Sequence, residues 1–384
     1  DLHSFPTRRS SDLHIAPRAA ISPELFRSAD RVITAQCDAV DGVKDGLIHD
    51  PGQCAFDPNR DLPRCGSSQG SADAQCFTDE QIDSLSIMFS GISDPAGKVI
   101  YPGFSVSHLY DHENSAMGVN LLSHWLSFPV PPNSLEGPQP WSHDPAGQPL
   151  GWYWVNQTIA NFVYDGAPGF NALRTPGITF ARDKSGRMHA VIPRKTIALL
   201  NEKVSDGSGA TPSDAAAYIE QGRKLIMYHG YSDGDITPYR TIQYYRELAR
   251  QHGGYDALKK NARLFMVPGL AHCRGGPGPN AFGQPYLNAP TKADPQHDLL
   301  IALERWVEYG EAPQQIIASK FERDDVTKPI VRTLPLCPFP AMAKYLGTAD
   351  VNDAANWRCA VDEQRLENRG PAGERAGLYA PLPK

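Results

Sequence analysis

Apolar positions fall into a few periodic segments separated by long polar, turn-rich stretches. Over residues 22–36 (SPELFRSADRVITAQ), Leu25, Phe26, Ala29, Val32 and Ile33 recur at helical spacing. Ser22 followed by Pro23 supplies an N-cap with proline in the first turn, so a helix is predicted there. A second helix is predicted over 78–89, opened by Thr78 with Gln81 three positions on. Residues 90–190 show no sustained period, and they hold Trp125, Trp141, Trp152, Trp154 and many prolines and glycines. Two short apolar runs follow, KLIMY at 224–228 and RLFMV at 263–267, alternating with amphipathic helices predicted over 237–251 and 298–309. Strand, helix, strand and helix in succession predict a parallel βαβα unit.

The chain of 384 residues is long enough for a sizeable core and more than one domain. Its 37 basic and 43 acidic residues leave a net charge of −6. That argues against a nucleic-acid partner, which needs a basic face. No run of about 18 apolar residues is present to span a membrane. Residues 1–13 (DLHSFPTRRSSDL) have no initiator Met, no apolar run and no small-residue cleavage site. They read as a non-native tail, the alternative being a disordered native one, and the authentic chain is expected to begin near His14.

Seven cysteines are present, at 37, 54, 65, 76, 273, 337 and 359, with no C-x-x-C spacing for a zinc or thioredoxin-like site. Their spacing in a Pro- and Gly-rich chain predicts disulfides and an oxidising compartment; the alternative is reduced, buried thiols. An odd count leaves one cysteine without an internal partner.

Functional groups gather at the carboxyl ends of strands in open parallel sheets. Asp233 follows KLIMY and His272 follows RLFMV. An acid and then a histidine on successive strand ends are the last two members of a Ser…Asp…His triad in α/β-hydrolase order. There the acid orients the imidazole and the imidazole moves the serine proton. The pattern alone also fits ordinary loop residues. A G-x-S-x-G occurs at 230–234 and would make Ser232 the nucleophile. The acids between it and His272 are then Asp235, Glu247 and Asp256, none clearly on a strand end. In the loop after the first helix, Asp38, Asp41 and Asp45 lie close together with Gly42 and Gly46. Three carboxylates there fit a hard cation such as calcium, or equally a solvated acidic turn.

Four long segments, in order, are similar to the tannase/feruloyl esterase family, which includes mono(hydroxyethyl) terephthalate hydrolases. They are CDAVDGVKDGLIHDPGQCAFDP (37–58), LIMYHGYSDGDITP (225–238), RLFMVPGLAHCRGGPG (263–278) and LCPFPAMAKYLGTADVNDAANWRC (336–359). The resemblance implies an α/β-hydrolase fold with a large inserted lid domain that carries a structural calcium ion. It implies Asp233 as triad acid and His272 as base, which demotes Ser232 to a non-catalytic neighbour. It implies calcium ligation by the side chains of Asp38, Asp41 and Asp45 and the backbone carbonyls of Val43 and Leu47. It also implies disulfides Cys37–Cys54 and Cys337–Cys359, with Cys65–Cys76 joined by proximity.

Cys273 matches a cysteine that bridges to one beside the nucleophilic serine. The family's G-C-S-x-G-G nucleophile stretch occurs nowhere in the 384 residues. The chain is therefore expected to lack the N-terminal part of the hydrolase core, with Cys273 unpaired, and to be inactive as it stands. The expected organisation is a tail at 1–13, the lid with its calcium loop at 14–210, and the C-terminal part of the hydrolase core at 211–384.

For the whole protein, the resemblance implies a secreted or periplasmic serine esterase that hydrolyses galloyl- or feruloyl-type aromatic esters through an acyl-enzyme. Some aromatics among Trp125, Trp141, Trp152, Trp154 and Phe162 would stack on the phenolic ring, although most serve as lid core. The alternatives are a different serine hydrolase using Ser232 and a non-catalytic, calcium-stabilised binding module.

Overall fold

Two parallel strands joined through a helix carry the segments expected to hold the acid and the histidine. The computed structural model describes residues 21–66, 76–110, 159–167, 175–208, 212–284, 292–347 and 349–361. Trp125, Trp141, Trp152 and Trp154 lie outside them. Phe162 lies within them and is 69% exposed. The chain divides into two compact units, one built from 1–32, 56–104 and 122–210, the other from 33–55, 105–121 and 211–384.

In the first unit, helix α1 (Pro23–Cys37) begins where Ser22 Oγ accepts the Leu25 amide, and the chain passes into the second unit along it. Helix α2 (Asp79–Ser90) opens with a reciprocal cap between Thr78 and Gln81 and buries Ile82, Leu85 and Phe89. The stretch without periodicity contains a four-stranded sheet. Its strands β1 (Ile92–Ser93), β2 (Val99–Tyr101), β3 (Thr179–Arg182) and β4 (Met188–Val191) lie in the order β2-β1-β4-β3. Two to four residues are too few to display a period of two. Helix α3 (Arg194–Ser208) follows.

In the second unit, helix α4 (Pro212–Glu220) leads to β5 (Leu225–Gly230), which pairs in parallel with β6 (Ala262–Val267) from Leu225–Ala262 to Gly230–Val267. The crossover is α5 (Pro238–Gln251), with Pro238 in its first turn. It buries Tyr239, Ile242, Tyr245 and Leu248 against Leu264 and Met266 of β6. Every residue of β6 is buried, as expected of a parallel strand covered on both faces. Helix α6 (Leu299–Tyr309) is capped by Asp298 and ends at left-handed Gly310. The βαβα succession thus forms as predicted.

Beyond it lie two antiparallel pairs with no counterpart in the sequence reading. One is β7 (Ile316–Phe321) with β8 (Ile330–Leu336); the other is β9 (Met342–Tyr345) with β10 (Trp357–Ala360).

Disulfides join Cys37–Cys54, Cys65–Cys76 and Cys337–Cys359, with Cα separations of 5.2, 4.8 and 5.5 Å. The acidic loop, expected with residues 14–210, packs within the second unit instead. Leu47 shares a small core with Leu334, Cys337, Ala343 and Trp357, and Arg332 donates to the Asp45 carbonyl at 2.7 Å. These contacts join segments almost 300 positions apart, which no local pattern reports.

Candidate active site

The carboxyl ends of β5 and β6 are stitched together by backbone. Tyr231 N–H donates to Val267 O at 2.9 Å and Ser232 N–H to Leu270 O at 3.0 Å. Gly230 makes the approach feasible, because a Cβ there would overlap the Leu270 carbonyl. Just beyond these contacts the two predicted site residues meet. His272 Nδ1 lies 3.0 Å from Asp233 Oδ2.

Asp233 is 6% exposed and its carboxylate is surrounded by donors. Oδ1 accepts the amides of Asp235 (2.8 Å) and Ile236 (2.9 Å). Oδ2 faces His272 Nδ1 and also His229 Nε2 at 3.1 Å. Because His229 Nε2 also faces the Ile236 carbonyl at 3.1 Å, two acceptors surround it and it carries the proton. The Thr241 hydroxyl bonds His229 Nδ1 at 2.6 Å and completes that tautomer. Burial alone would raise the Asp233 pKa; the hydrogen bonds from His229 and His272 outweigh it and bring the carboxyl down to about 2.

The hydrogen bond to Asp233 raises the His272 pKa above its ordinary value, burial opposes it, and the charges of Asp233 and Asp235 add to the rise. Asp235 stands on the other side of the ring, with Oδ2 3.5 Å from His272 Nε2. Burial, partly countered by His272 and reinforced by Asp233, pushes Asp235 up to about 7.

The loop that carries His272 is itself held. Cys273, Gly275 and Gly276 have φ of 64°, 70° and 86°. Ala271 N–H donates to Gly275 O at 3.2 Å, and buried Lys320 donates to Gly276 O at 2.6 Å while pairing with Asp324. Cys273 carries a free, half-buried thiol, whose pKa burial raises. Ser232 is buried and its hydroxyl bonds that of Ser107 at 2.8 Å. Its hydrogen bond goes to another hydroxyl and not to an imidazole base.

The acidic loop turns on left-handed Gly42 and Gly46. In each carboxylate Oδ1 is engaged by loop amides: Asp41 by Val43 (2.9 Å), Asp45 by Leu47 (3.0 Å), and Asp38 by Asp45 (3.1 Å) and Gly46 (3.0 Å). Asp45 Oδ2 faces His49 Nε2 at 3.2 Å and Arg332 Nη1 at 3.5 Å. Asp41 Oδ2 is buried with no hydrogen-bond partner among the described residues, 3.9 Å from His49 Nε2. Burial, opposed by His49 and the Val43 amide and reinforced by Asp45 and Asp38, pushes Asp41 up to about 6.

An orphaned acceptor in an all-oxygen set fits a hard cation. The three carboxylates are not gathered tightly, however. Among the described residues, the set of three carboxylate or imidazole groups whose ligand atoms lie within 4.8 Å of one another is Asp233, Asp235 and His272.

The sequence reading missed His229, Lys320 and Arg332 as site-supporting residues. His229 had a signal, since it lies next to the end of a strand, four positions before the acid. Lys320 and Arg332 had none, because the Gly276 and Asp45 carbonyls they reach are remote in sequence.

The family model for tannase and feruloyl esterase matches residues 4–360. An uncharacterized esterase of Xanthomonas campestris pv. campestris is 33% identical over 386 residues, covering 96% of this chain and 59% of that protein. Mono(2-hydroxyethyl) terephthalate hydrolase of Piscinibacter sakaiensis is 30% identical over 349 residues, covering 86% and 51%. The chain thus spans between 51% and 59% of the length of these relatives. An esterase structure from Aspergillus oryzae superposes with a TM-score of 0.68 at 22% identity, covering 92% of this chain and 60% of that one. Tannin acyl hydrolase from Aspergillus niger gives 0.54 at 17%, covering 94% and 57%. The fold is α/β-hydrolase-like, in line with the parallel β5–β6 pair and its crossover helix. The chain belongs to the tannase and feruloyl esterase family.

Proposed function

We propose that the whole protein is a serine esterase that cleaves aromatic carboxylic esters of the feruloyl or galloyl type through an acyl-enzyme. The observation that carries this reading is the 3.0 Å contact between Asp233 Oδ2 and His272 Nδ1. Asp233 is ionised, so Nδ1 donates and the neutral ring keeps its lone pair on Nε2. Nε2 takes the proton of an attacking hydroxyl as the carbonyl carbon is bonded, and returns it to the leaving alcohol as the C–O bond breaks. Asp233 stays ionised throughout and stabilises the imidazolium.

The hydroxyl is supplied by a serine in a segment outside these 384 residues, and the chain alone turns over no ester. Relatives of greater length, the missing G-C-S-x-G-G stretch and the engagement of Ser232 by Ser107 support that assignment.

Three disulfides favour secretion or a periplasmic location. For the acidic loop, the side chains of Asp38, Asp41 and Asp45 with the carbonyls of Val43 and Leu47 would hold calcium, which would neutralise the carboxylates and brace the loop. A second reading rests on Arg332 beside Asp45, whose guanidinium would supply positive charge itself, with His49 Nε2 as a further hydrogen-bonding neighbour.

The test is hydrolysis of methyl ferulate and methyl gallate by the full-length protein. His272→Ala should lower kcat about 10³-fold or more, and Ser232→Ala should leave turnover in place. Loss of turnover in Ser232→Ala with survival in His272→Ala would overturn the assignment. No turnover of either ester by the unmodified protein would favour a binding role.

A further inference from the structure

Lys320 is a buried ammonium aimed at a backbone carbonyl. The residue is 3% exposed, and its Nζ donates to Gly276 O at 2.6 Å and to Asp324 Oδ1 at 2.5 Å. Asp324 Oδ1 also accepts from the Asn280 side-chain amide at 2.7 Å. Arg323 and Asp324 stand in the left-handed region, with φ of 56° and 57°, which residues other than glycine rarely adopt. A buried ion pair seldom stabilises a fold more than two apolar side chains in its place would. Left-handed backbone at two successive non-glycine residues opposes folding further. Both features converge on the Gly276 carbonyl, four positions beyond His272.

What depends on that carbonyl is the histidine loop. Gly276 packs so closely on Gly269 that a Cβ there would overlap the Gly269 carbonyl. Ala271 N–H donates to Gly275 O at 3.2 Å, and Gly278 N–H to Gly269 O at 3.3 Å. The two limbs of the loop, 269–271 and 275–278, are therefore tied to each other, with His272 at the turn between them. The incoming limb continues β6. The outgoing limb leads to Asn280 and Ala281, whose amides both donate to Ser319 O at 3.0 Å on β7. Lys320, the next residue of β7, grips the loop between that anchor and the turn.

We propose that Lys320, held by Asp324, is a positioning residue: by gripping the Gly276 carbonyl it sets the distance from His272 to Asp233 and the aim of the ring at the attacking hydroxyl. It acts through the loop and not on the substrate. On the esterase reading, on which its part in turnover rests, a displaced ring lowers kcat and leaves ester binding in place.

Lys320→Met combined with Asp324→Asn tests this, since it removes both charges and keeps an amide oxygen to accept from Asn280. In the 384-residue chain, nitrogen-15 NMR should find the His272 midpoint lowered by about half a pH unit or more, because the ring no longer sits squarely on the Asp233 carboxylate. In the full-length protein, kcat for methyl ferulate should fall about 10-fold or more, with KM within about 2-fold. Lys320→Gln with the same Asp324→Asn restores a donor and should recover part of both losses, which a role in packing alone would not produce. Asn280→Ala leaves the charges paired and loosens Asp324. It should move both readouts the same way by a smaller factor, and it is the variant to read if the first does not fold.

A folded variant of either kind with an unchanged His272 midpoint overturns the proposal, whatever its kcat. A raised KM with unchanged kcat overturns it as well, and so do equal losses in Lys320→Met and Lys320→Gln. If the unmodified full-length protein cleaves no ester, the esterase reading fails, and the midpoint still decides whether Lys320 sets the ring against Asp233.

Discussion

Gly230 and Leu270 stand so close that a Cβ on the glycine would overlap the leucine carbonyl oxygen. That approach brings the end of β5 onto the loop after β6, and so Asp233 onto His272. Gly230→Ala must push the two strand ends apart. It should cost about 1–3 kcal/mol of stability, as overpacking does. It should also weaken the coupling between Asp233 and His272. Denaturant unfolding of the variant measures the first, and a variant as stable as the parent would contradict the packing described here.

Asp233 makes stability depend on pH in a definite direction. Its carboxyl lies at about 2 in the fold against an ordinary 3.8. Stability from this group is therefore full above the ordinary value and is lost as pH falls towards 2. The shift corresponds to roughly 2 kcal/mol. Asp233→Asn should be markedly less stable than the parent at pH 6, and the gap should narrow by pH 3. Urea midpoints at the two pH values check this, and an equal gap at both would count against it.

The Cys337–Cys359 bond closes a 22-residue separation and ties the end of β8 to β10, beneath which Leu47 is packed. Replacing both cysteines by serine should cost about 2–4 kcal/mol, through the unfolded chain and through the small core the bond borders. Protection of the 38–47 amides from hydrogen exchange should fall with it. Unchanged exchange there would show that the hairpin does not brace the acidic loop.

Asp41 tests whether the loop holds a cation. If calcium is bound, a chelator should lower the melting temperature by several degrees, and readded calcium should restore it. Asp41→Asn should melt at the chelated value and ignore the chelator. If Arg332 and the loop's own hydrogen bonds hold the carboxylates without a cation, the chelator should have no effect.

How much of this could be read from the sequence follows from distance along the chain. The N-terminus of α1 at Ser22 and Pro23 and the capping box of α2 at Thr78 and Gln81 are local chemistry, and both were legible. So was the β5-α5-β6-α6 succession, whose apolar runs and helices are long enough to display their periods. Strands β1–β4 were not, because two to four residues carry too little pattern. The grouping of the acidic loop with the C-terminal hairpins depends on Arg332 reaching Asp45 and on Leu47 packing by Trp357, neither of which leaves a local trace. Within the site, Asp233 and His272 were found by their places at strand ends. His229 was overlooked because it directly follows the apolar run and no motif singles it out, and Asp235 was set aside because it lies off the strand end.

The pairing of Asp233 with His272 is tested most directly by nitrogen-15 NMR of the imidazole across a pH titration, using the 384-residue chain and its Asp233→Asn variant. The chain should titrate His272 above the ordinary 6.5, with a proton retained on Nδ1 in the neutral ring, and Asp233→Asn should lower that midpoint. A midpoint at the ordinary value that Asp233→Asn leaves unchanged would contradict the pairing and the chemistry built on it.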